Sequence, residues 1–172
     1  MAGTEPLIPF SNYDVNVVIA DREEIRKFNP QRYEMEQLTA ILHEDIERQV
    51  IVGYTDTSQD DFWVRGHMPG MPLMPGVLMC EAAAQLASYY TLKNDVMGCE
   101  MIGFGGLDNV RFRGAVLPGD RVVIQCRQKK VRRGAVVVCD FQGYVNENRV
   151  FEGSIRGIPL PAEALREAGR SA

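Results

Sequence analysis

One stretch of the sequence combines side chains that can do acid–base chemistry with residues that fix the backbone around them. Residues 66–76 read GHMPGMPLMPG, with three prolines, three glycines and His67. Because proline fixes φ and glycine permits positive φ, this composition predicts a shaped loop. From Val77 the residues become apolar or small helix formers, which predicts a helix buried on all sides. That helix carries one carboxylate, Glu81.

His67 and Glu81 together indicate an active site. A glutamate is almost never fully buried without a partner or a purpose. Gln85 follows Glu81 by one helical turn, at the spacing of side-chain neighbours on a helix. The alternatives are a structural loop histidine and a glutamate that pairs with an arginine across an interface.

The composition indicates one globular domain in the cytoplasm. The chain has 172 residues, which is enough to bury a sizeable core. No apolar run approaches the ~20 residues that cross a bilayer, and the amino terminus lacks the pattern of a secretory signal. Four scattered cysteines favour reduced core residues, and with only two histidines a metal site is not expected.

A basic segment interrupts this acidic chain, whose net charge is −4. Between Arg111 and Arg133 there are eight basic residues and one acid, Asp120. This pattern favours an acidic or phosphorylated partner over bulk nucleic-acid binding. The alternative is a solvated strand face with ordinary surface charge.

The remaining patterns predict the elements around the central helix. Asp21 and Glu24 form a capping-box pattern for a short helix over residues 22–28. Pro30 is expected to start another helical turn, and a strand is expected over residues 46–54. After the central helix, runs rich in Val, Ile and Phe alternate with turn signals, which predicts about four antiparallel strands, with a break at Gly105-Gly106.

A helix that is apolar all round needs a sheet around it and a cover on its remaining side. The sequence therefore predicts an α+β fold in which a curved antiparallel sheet encloses one long central helix, with a second subunit as the cover. The expected organisation is an amino-terminal arm with a short helix at residues 1–30, a domain at 31–160 and a tail at 161–172.

The run HMPGMPLMPGVLMCEAAAQ, from His67 to Gln85, resembles the 3-hydroxyacyl-[acyl-carrier-protein] dehydratases of bacterial fatty-acid synthesis. Their motif reads H-F-P-G-x-P-x-x-P-G-V-x-x-x-E-A-x-x-Q, and Met68 is the one departure. GLDNVRFRGAVLPGD resembles a second family segment, I-D-x-x-R-F-[KR]-x-x-V-x-P-G-D. The family's L-P-H-R-Y-P-[FM]-L-L-[VI]-D is kept in NPQRYEMEQLTAI only at Pro30, Arg32 and Tyr33, a departure that bears on the substrate tunnel and chain-length preference.

The resemblance implies a hotdog fold and homodimers with two active sites at their interface, often joined into hexamers. It implies that His67 of one subunit faces Glu81 of the other. The implied reaction removes water from a (3R)-3-hydroxyacyl thioester to give the trans-2-enoyl thioester. The substrate would arrive on the phosphopantetheine of acyl carrier protein, and no metal or redox cofactor is implied.

Within that reaction, His67 suits the base that takes the Cα proton, because an imidazole titrates near neutral pH. Glu81 suits the acid that protonates the departing hydroxyl, because burial favours a protonated carboxyl group. The backbone amides of Gly76 and Val77 suit the thioester oxygen, and Gln85 would orient Glu81. The acidic carrier protein would dock on basic residues of the segment described above: Arg111, Arg113, Lys129, Arg132 and Arg133.

Three other interpretations remain open. An acyl thioesterase of the same fold would use Glu81 and Gln85 to direct water at the thioester carbonyl. A non-catalytic acyl-binding or scaffold subunit would keep the fold without the reaction. A dehydratase that also isomerises the double bond, or that serves lipid A or polyketide assembly, would share the same site.

Overall fold

The predicted central helix is α2 (Gly76–Lys93) of a computed structural model, which describes residues 5–163 and 166–167. Pro75 precedes it, and the Pro75 carbonyl accepts the N–H groups of Leu78 and Met79. Small and apolar side chains cover most of the helix surface; Ala82, Ala83 and Leu86 are fully buried. No helix among the described residues is long and apolar enough to cross a membrane.

Six antiparallel strands form one sheet around α2, which confirms the predicted α+β architecture. The strands are β1 (Ala40–Asp45), β2 (Val50–Asp56), β3 (Ile102–Phe112), β4 (Arg121–Arg132), β5 (Val136–Val145) and β6 (Asn148–Pro159). Their order across the sheet is β1-β2-β4-β5-β6-β3, so β1 and β3 are the edge strands.

Alternating side chains give the sheet an inner and an outer face. On β4, Ile124 and Cys126 point to the core with α2, whereas Gln125 between them points outward. On β5, Phe141 belongs to the same core and Gln142 points outward. This period of two is what predicted the strands after the central helix.

The amino-terminal half differs from the sequence prediction. The helix expected from Pro30 is wrong: a 3-10 turn at Tyr33–Met35 is followed by strand β1. The strand expected over residues 46–54 was predicted to begin four residues too early. Residues 46–49 form the turn between β1 and β2, and β2 begins at Val50. Ile41 packs in the main core and Leu42 in a second cluster on the outer face, so adjacent residues are both buried and the alternation typical of a strand is lost.

Two further local predictions have clear outcomes. The break expected at Gly105-Gly106 is wrong, because β3 continues through it with irregular pairing to β6 between Phe104 and Gly106. The helix cap at Asp21 is confirmed: its carboxylate accepts the N–H of Glu24 at 3.0 Å at the start of α1 (Arg22–Arg26).

The amino-terminal arm lies on the outer face of the sheet, where two buried amides bind it: Gln142 accepts the N–H of Leu7 at 2.7 Å, and Gln125 binds Ile8 and Tyr13. Gln125 is fully buried; its Oε1 accepts the N–H of Ile8 at 3.0 Å, and its Nε2 donates to the Ile8 carbonyl at 2.8 Å and to the Tyr13 hydroxyl at 2.9 Å. Burial raises the pKa of Tyr13 from 10.0 to about 12. The contribution of the protonated hydroxyl to stability is therefore present below pH 10 and is lost as the pH rises towards 12.

Residues 1–4 of the predicted arm, and 164–165 and 168–172 of the predicted tail, lie outside the described residues.

Replacing Gln125 with Leu should loosen the arm from the sheet. The polar groups of Ile8 would then face an apolar side chain, and leaving buried polar groups unsatisfied costs about 1–3 kcal/mol. We expect a loss of that size in the free energy of unfolding in urea, together with faster hydrogen exchange at residues 7–13. Gln128→Leu on the same strand is the control, because the Gln128 side-chain oxygen has no partner among the described residues. Unchanged exchange of the arm in Gln125→Leu would contradict this account.

Candidate active site

The loop that carries His67 is fixed by backbone hydrogen bonds. The His67 N–H donates to the carbonyl of the buried Trp63 at 2.7 Å, and the Leu73 N–H donates to the His67 carbonyl at 2.8 Å. The imidazole Nδ1 lies 2.7 Å from the Leu73 carbonyl oxygen. Because a carbonyl only accepts, Nδ1 carries the proton, and Nε2 is the basic nitrogen of the neutral ring.

The start of α2 presents free backbone N–H groups. Pro75 occupies the N-cap position and supplies no side-chain cap. Among the described residues, the N–H groups of Gly76 and Val77 have no hydrogen-bond partner, and the Val77 residue is 74% exposed. Free N–H groups and the positive end of the helix dipole favour negative charge at this place.

Gly76 allows another element to approach the helix start closely. A Cβ at this position would lie 2.6 Å from the ring of Phe112, which ends strand β3. Any larger residue would push the ring away. The Phe112 ring at the end of β3 therefore packs against Gly76, the first residue of α2.

Gln85 holds the carboxyl group of Glu81. The side chain of Gln85 is buried, and its Nε2 donates to Glu81 Oε1 at 2.8 Å and to the Met35 carbonyl at 2.6 Å. Its Oε1 accepts the N–H of Gln37 at 3.0 Å. These contacts use both donor hydrogens and fix the plane of the amide.

The segment before β1 completes this arrangement, and the sequence interpretation missed its role. The side-chain amide of Asn29 donates to the Gln85 carbonyl at 2.9 Å, and Met35 and Gln37 hold the Gln85 side chain. The partners are separated by about 50 positions along the chain, so no local pattern signals the contact.

Glu81 lines a cavity of about 90 Å³ between α2 and the inner face of β3, β5 and β6. Along the helix the cavity passes Ala84 and Ser88 and reaches Thr91. His67 is not among the lining residues. One chain therefore does not bring His67 and Glu81 into the same cavity.

The cavity contains one thiol, from Cys139. Burial raises the pKa of Cys139 to about 12, so the thiol stays protonated near neutral pH and is a poor nucleophile. Among residues 5–163 and 166–167, no three His, Cys, Asp or Glu side chains form a group that would hold a metal ion.

The five basic residues predicted to dock a partner are all exposed, but three of them have acidic neighbours. The ion pairs are Arg113 with Glu152, Lys129 with Asp140, and Arg133 with Asp95. Burial acts to raise the pKa of Glu152, but hydrogen bonds from Arg113 and Arg149 outweigh it and lower that pKa.

These basic residues lie at two ends of the sheet. Arg111 and Arg113 flank Phe112, and Phe112 is aligned across the sheet with Ile124 of β4. Arg132 ends β4 eight residues further on, beside Arg133 in the β4–β5 turn. At ~3.3 Å per residue the two ends are about 26 Å apart. One chain therefore brings Arg132 and Arg133 together but separates them from Arg111 and Arg113.

Comparisons with known proteins agree with the fold and the motifs. The model of the FabA-like domain family matches residues 29–154. The 3-hydroxyacyl-[acyl-carrier-protein] dehydratase FabZ of Syntrophobacter fumaroxidans is 35% identical over 150 residues, covering 86% of this chain and 99% of the relative. Among solved structures, the dehydratase heterocomplex ApeI:P of Xenorhabdus doucetiae has a TM-score of 0.65 at 14% identity, covering 84% and 96% of the two chains. Cj0977 of Campylobacter jejuni has a TM-score of 0.64 at 16% identity, covering 86% and 96%. The expected hotdog fold is confirmed.

Proposed function

Because this chain belongs to the FabA-like family, we propose that it is a hydro-lyase that dehydrates (3R)-3-hydroxyacyl-[acyl-carrier-protein] to the trans-2-enoyl form in fatty-acid biosynthesis. The observation that carries the proposal is the placement of Glu81, which Gln85 holds in a cavity along the helix that starts with two free N–H groups. This arrangement supplies a proton donor and an anion site for one bound thioester.

The reaction needs one proton to leave carbon and another to reach oxygen. Nε2 of His67 takes the Cα proton, because Nδ1 is committed to the Leu73 carbonyl. The electron pair forms the Cα–Cβ double bond, the Cβ–O bond breaks, and Glu81 protonates the oxygen that leaves as water. Gln85 binds Glu81 Oε1, so Oε2 is the oxygen assigned to this transfer.

Negative charge develops on the thioester oxygen when the Cα proton leaves. The N–H groups of Gly76 and Val77 suit this charge because they have no other partner among the described residues. One such donor is typically worth ~3–4 kcal/mol of transition-state stabilisation.

A second copy of this chain completes the site. Strand β3 is an edge strand of eleven residues, and Phe104, Leu107 and Phe112 are exposed on it. A long edge with exposed apolar side chains favours pairing with another strand. Two-fold pairing along β3 supplies His67 of the partner subunit to this Glu81, which explains why one chain keeps the two apart. Association of three such dimers is a further step that a mass measurement would detect.

This elimination needs no metal or redox cofactor, because a general acid, a general base and stabilisation of the negative charge on the thioester oxygen suffice. Phosphopantetheine of the carrier protein delivers the thioester, and the cavity beyond Glu81 receives the acyl chain. All four cysteines are free, which suits a reducing compartment and supports the cytoplasm as the place of the reaction.

Two-fold pairing also unites the basic residues. It turns one sheet end for end relative to the other, so Arg132 and Arg133 of the partner subunit come to the side where Arg111 and Arg113 lie. An acidic carrier protein then meets basic side chains from both subunits near the start of α2. Lys129, between the two ends, extends the same surface.

His67→Ala and Glu81→Gln should each lower kcat/KM for hydration of crotonyl thioester by about 10²–10⁴, because each removes one proton-transfer group. Loss of enoyl absorbance measures this reverse reaction. His43→Ala and the exposed Glu147→Gln are matched controls and should retain activity. Wild-type activity that survives both active-site changes would contradict the assignment. Release of free thiol without hydration would indicate the thioesterase alternative, and inactivity on all enoyl thioesters would indicate the scaffold alternative.

Charge reversal at Arg111 and at Arg132 should weaken docking of the carrier protein. Losing one favourable charge and adding a repulsive one should raise KM for the carrier-bound substrate several-fold at low salt, and the effect should fall as salt screens it. KM for a small thioester should not change. Lys27→Glu, at the carboxyl end of α1 and outside the sheet, is the control. An unchanged KM in the Arg111→Glu, Arg132→Glu double variant would exclude this docking surface.

A further inference from the structure

The cavity beside Glu81 follows α2 as far as Thr91. The helix residues that line it lie on one face: Glu81, Ala84, Ala87, Ser88 and Thr91. Among the described residues, none later in α2 than Thr91 lines the cavity. The rise along the helix from Glu81 to Thr91 is about 15 Å. A linear chain that enters beside Glu81 therefore extends along the helix towards its carboxyl end.

The sheet has one end at the start of α2 and the other at the carboxyl end of this helix. Phe112, the last residue of β3, packs against Gly76, the first residue of α2. Beyond the other end of α2, the N–H of Gly134 in the β4–β5 turn donates to the carbonyl of Met97 at 3.1 Å. Val137 is the second residue of β5, directly after that turn. It therefore lies near the carboxyl end of α2.

Ile102 and Val137 meet over a glycine at this end of the cavity. Gly157 of β6 is paired with Val137 of β5, and all three residues line the cavity. A Cβ at Gly157 would lie 2.8 Å from Cγ2 of Ile102 and 2.9 Å from Cγ1 of Val137. Both side chains are β-branched, so their χ1 angles are stiff. Ile102, Val137 and Gly157 form what we call the end wall.

The end wall and the helix beside it offer apolar surface. Val137 and Thr91 are buried, with exposed fractions of 3% and 1%. The Thr91 hydroxyl donates to the Ala87 carbonyl at 2.7 Å, so its hydrogen-bonding need is already met within the helix. A terminal methyl group that arrives here therefore leaves no polar group without a partner.

Given the dehydratase function proposed above, we infer that the end wall sets the longest acyl chain that this protein accepts. A chain with its reacting carbons beside Glu81 lies along α2, and its terminal methyl group meets Ile102 and Val137. A longer chain has to displace these side chains or leave its last methylenes in water. Each methylene that stays in water costs about fourfold in binding.

The test measures kcat/KM for hydration of even-numbered trans-2-enoyl thioesters on one carrier, from crotonyl to hexadecenoyl. In the wild-type protein, kcat/KM should fall beyond one chain length, which is the length limit. Gly157→Ala adds a methyl group to the end wall. The ratio of kcat/KM at that limit to kcat/KM for crotonyl should therefore fall about 4- to 15-fold, which corresponds to the burial of one or two methylenes. Val137→Ala removes two methyl groups, so the ratio for the next longer chain should rise by a similar factor.

Gly153→Ala and Val122→Ala are the matched controls. A Cβ at Gly153 of β6 would lie 2.7 Å from the ring of Phe141 and 2.9 Å from Cγ2 of Val110, so it is as crowded as one at Gly157. Gly153 does not line the Glu81 cavity. Val122 is buried in the main core and does not line it either. Both controls should keep the wild-type length limit.

Opposite shifts of the length limit in Gly157→Ala and Val137→Ala would support the end wall, because a general loss of stability would not lengthen the accepted chain. If circular dichroism shows that Gly157→Ala does not fold, Val137→Ala decides alone. A limit that stays in place, or that moves equally in the controls, would overturn the inference about the end wall alone. A wild-type protein that hydrates every chain length equally would do the same. A wild-type protein inactive on all these thioesters would overturn the dehydratase function and this inference with it.

Discussion

The structure depends on the hydrogen bonds of one buried amide, that of Gln85. The central helix is apolar on nearly every side, and Glu81 is the single acidic residue between its first residue, Gly76, and its last, Lys93. The side-chain amide of Gln85 hydrogen-bonds to that carboxylate and to the backbone of Met35 and Gln37. The backbone carbonyl of Gln85 accepts a hydrogen bond from the side-chain amide of Asn29. The same residue therefore orients Glu81 and attaches the segment before β1 to the helix. Without it, a carboxyl group and two backbone groups would lose their partner in a partly buried place, which proteins rarely tolerate.

The elements that local patterns determine were predictable from the sequence. The central helix, the strands after it and the Asp21 cap each follow from a period or a short motif of neighbouring residues. Strand β1 was not predictable in this way, because the arm covers the outer face and makes both Ile41 and Leu42 core residues. The arm itself binds Gln125, which lies 117 positions from Ile8. Contacts between residues so far apart in the chain cannot be predicted from the hydrophobic pattern of neighbouring residues.

The candidate site was predictable in its residue types but not in its assembly. The motif indicated His67, Glu81 and Gln85, and the structure adds the tautomer of His67 and the hydrogen bond that fixes Glu81. His67 does not line the Glu81 cavity of its own chain, and the dimer proposed above, paired along the exposed β3 edge, would join the two halves of the site.

The most direct test of this shared site is to mix the inactive variants His67→Ala and Glu81→Gln and to allow their subunits to exchange. A mixed dimer holds one site with both defects and one site with neither. Random exchange should therefore restore about a quarter of wild-type crotonyl hydration, while each variant alone, treated identically, stays inactive. If mass spectrometry shows mixed dimers and activity does not return, His67 and Glu81 do not act across the subunit interface, and the account of this site is wrong.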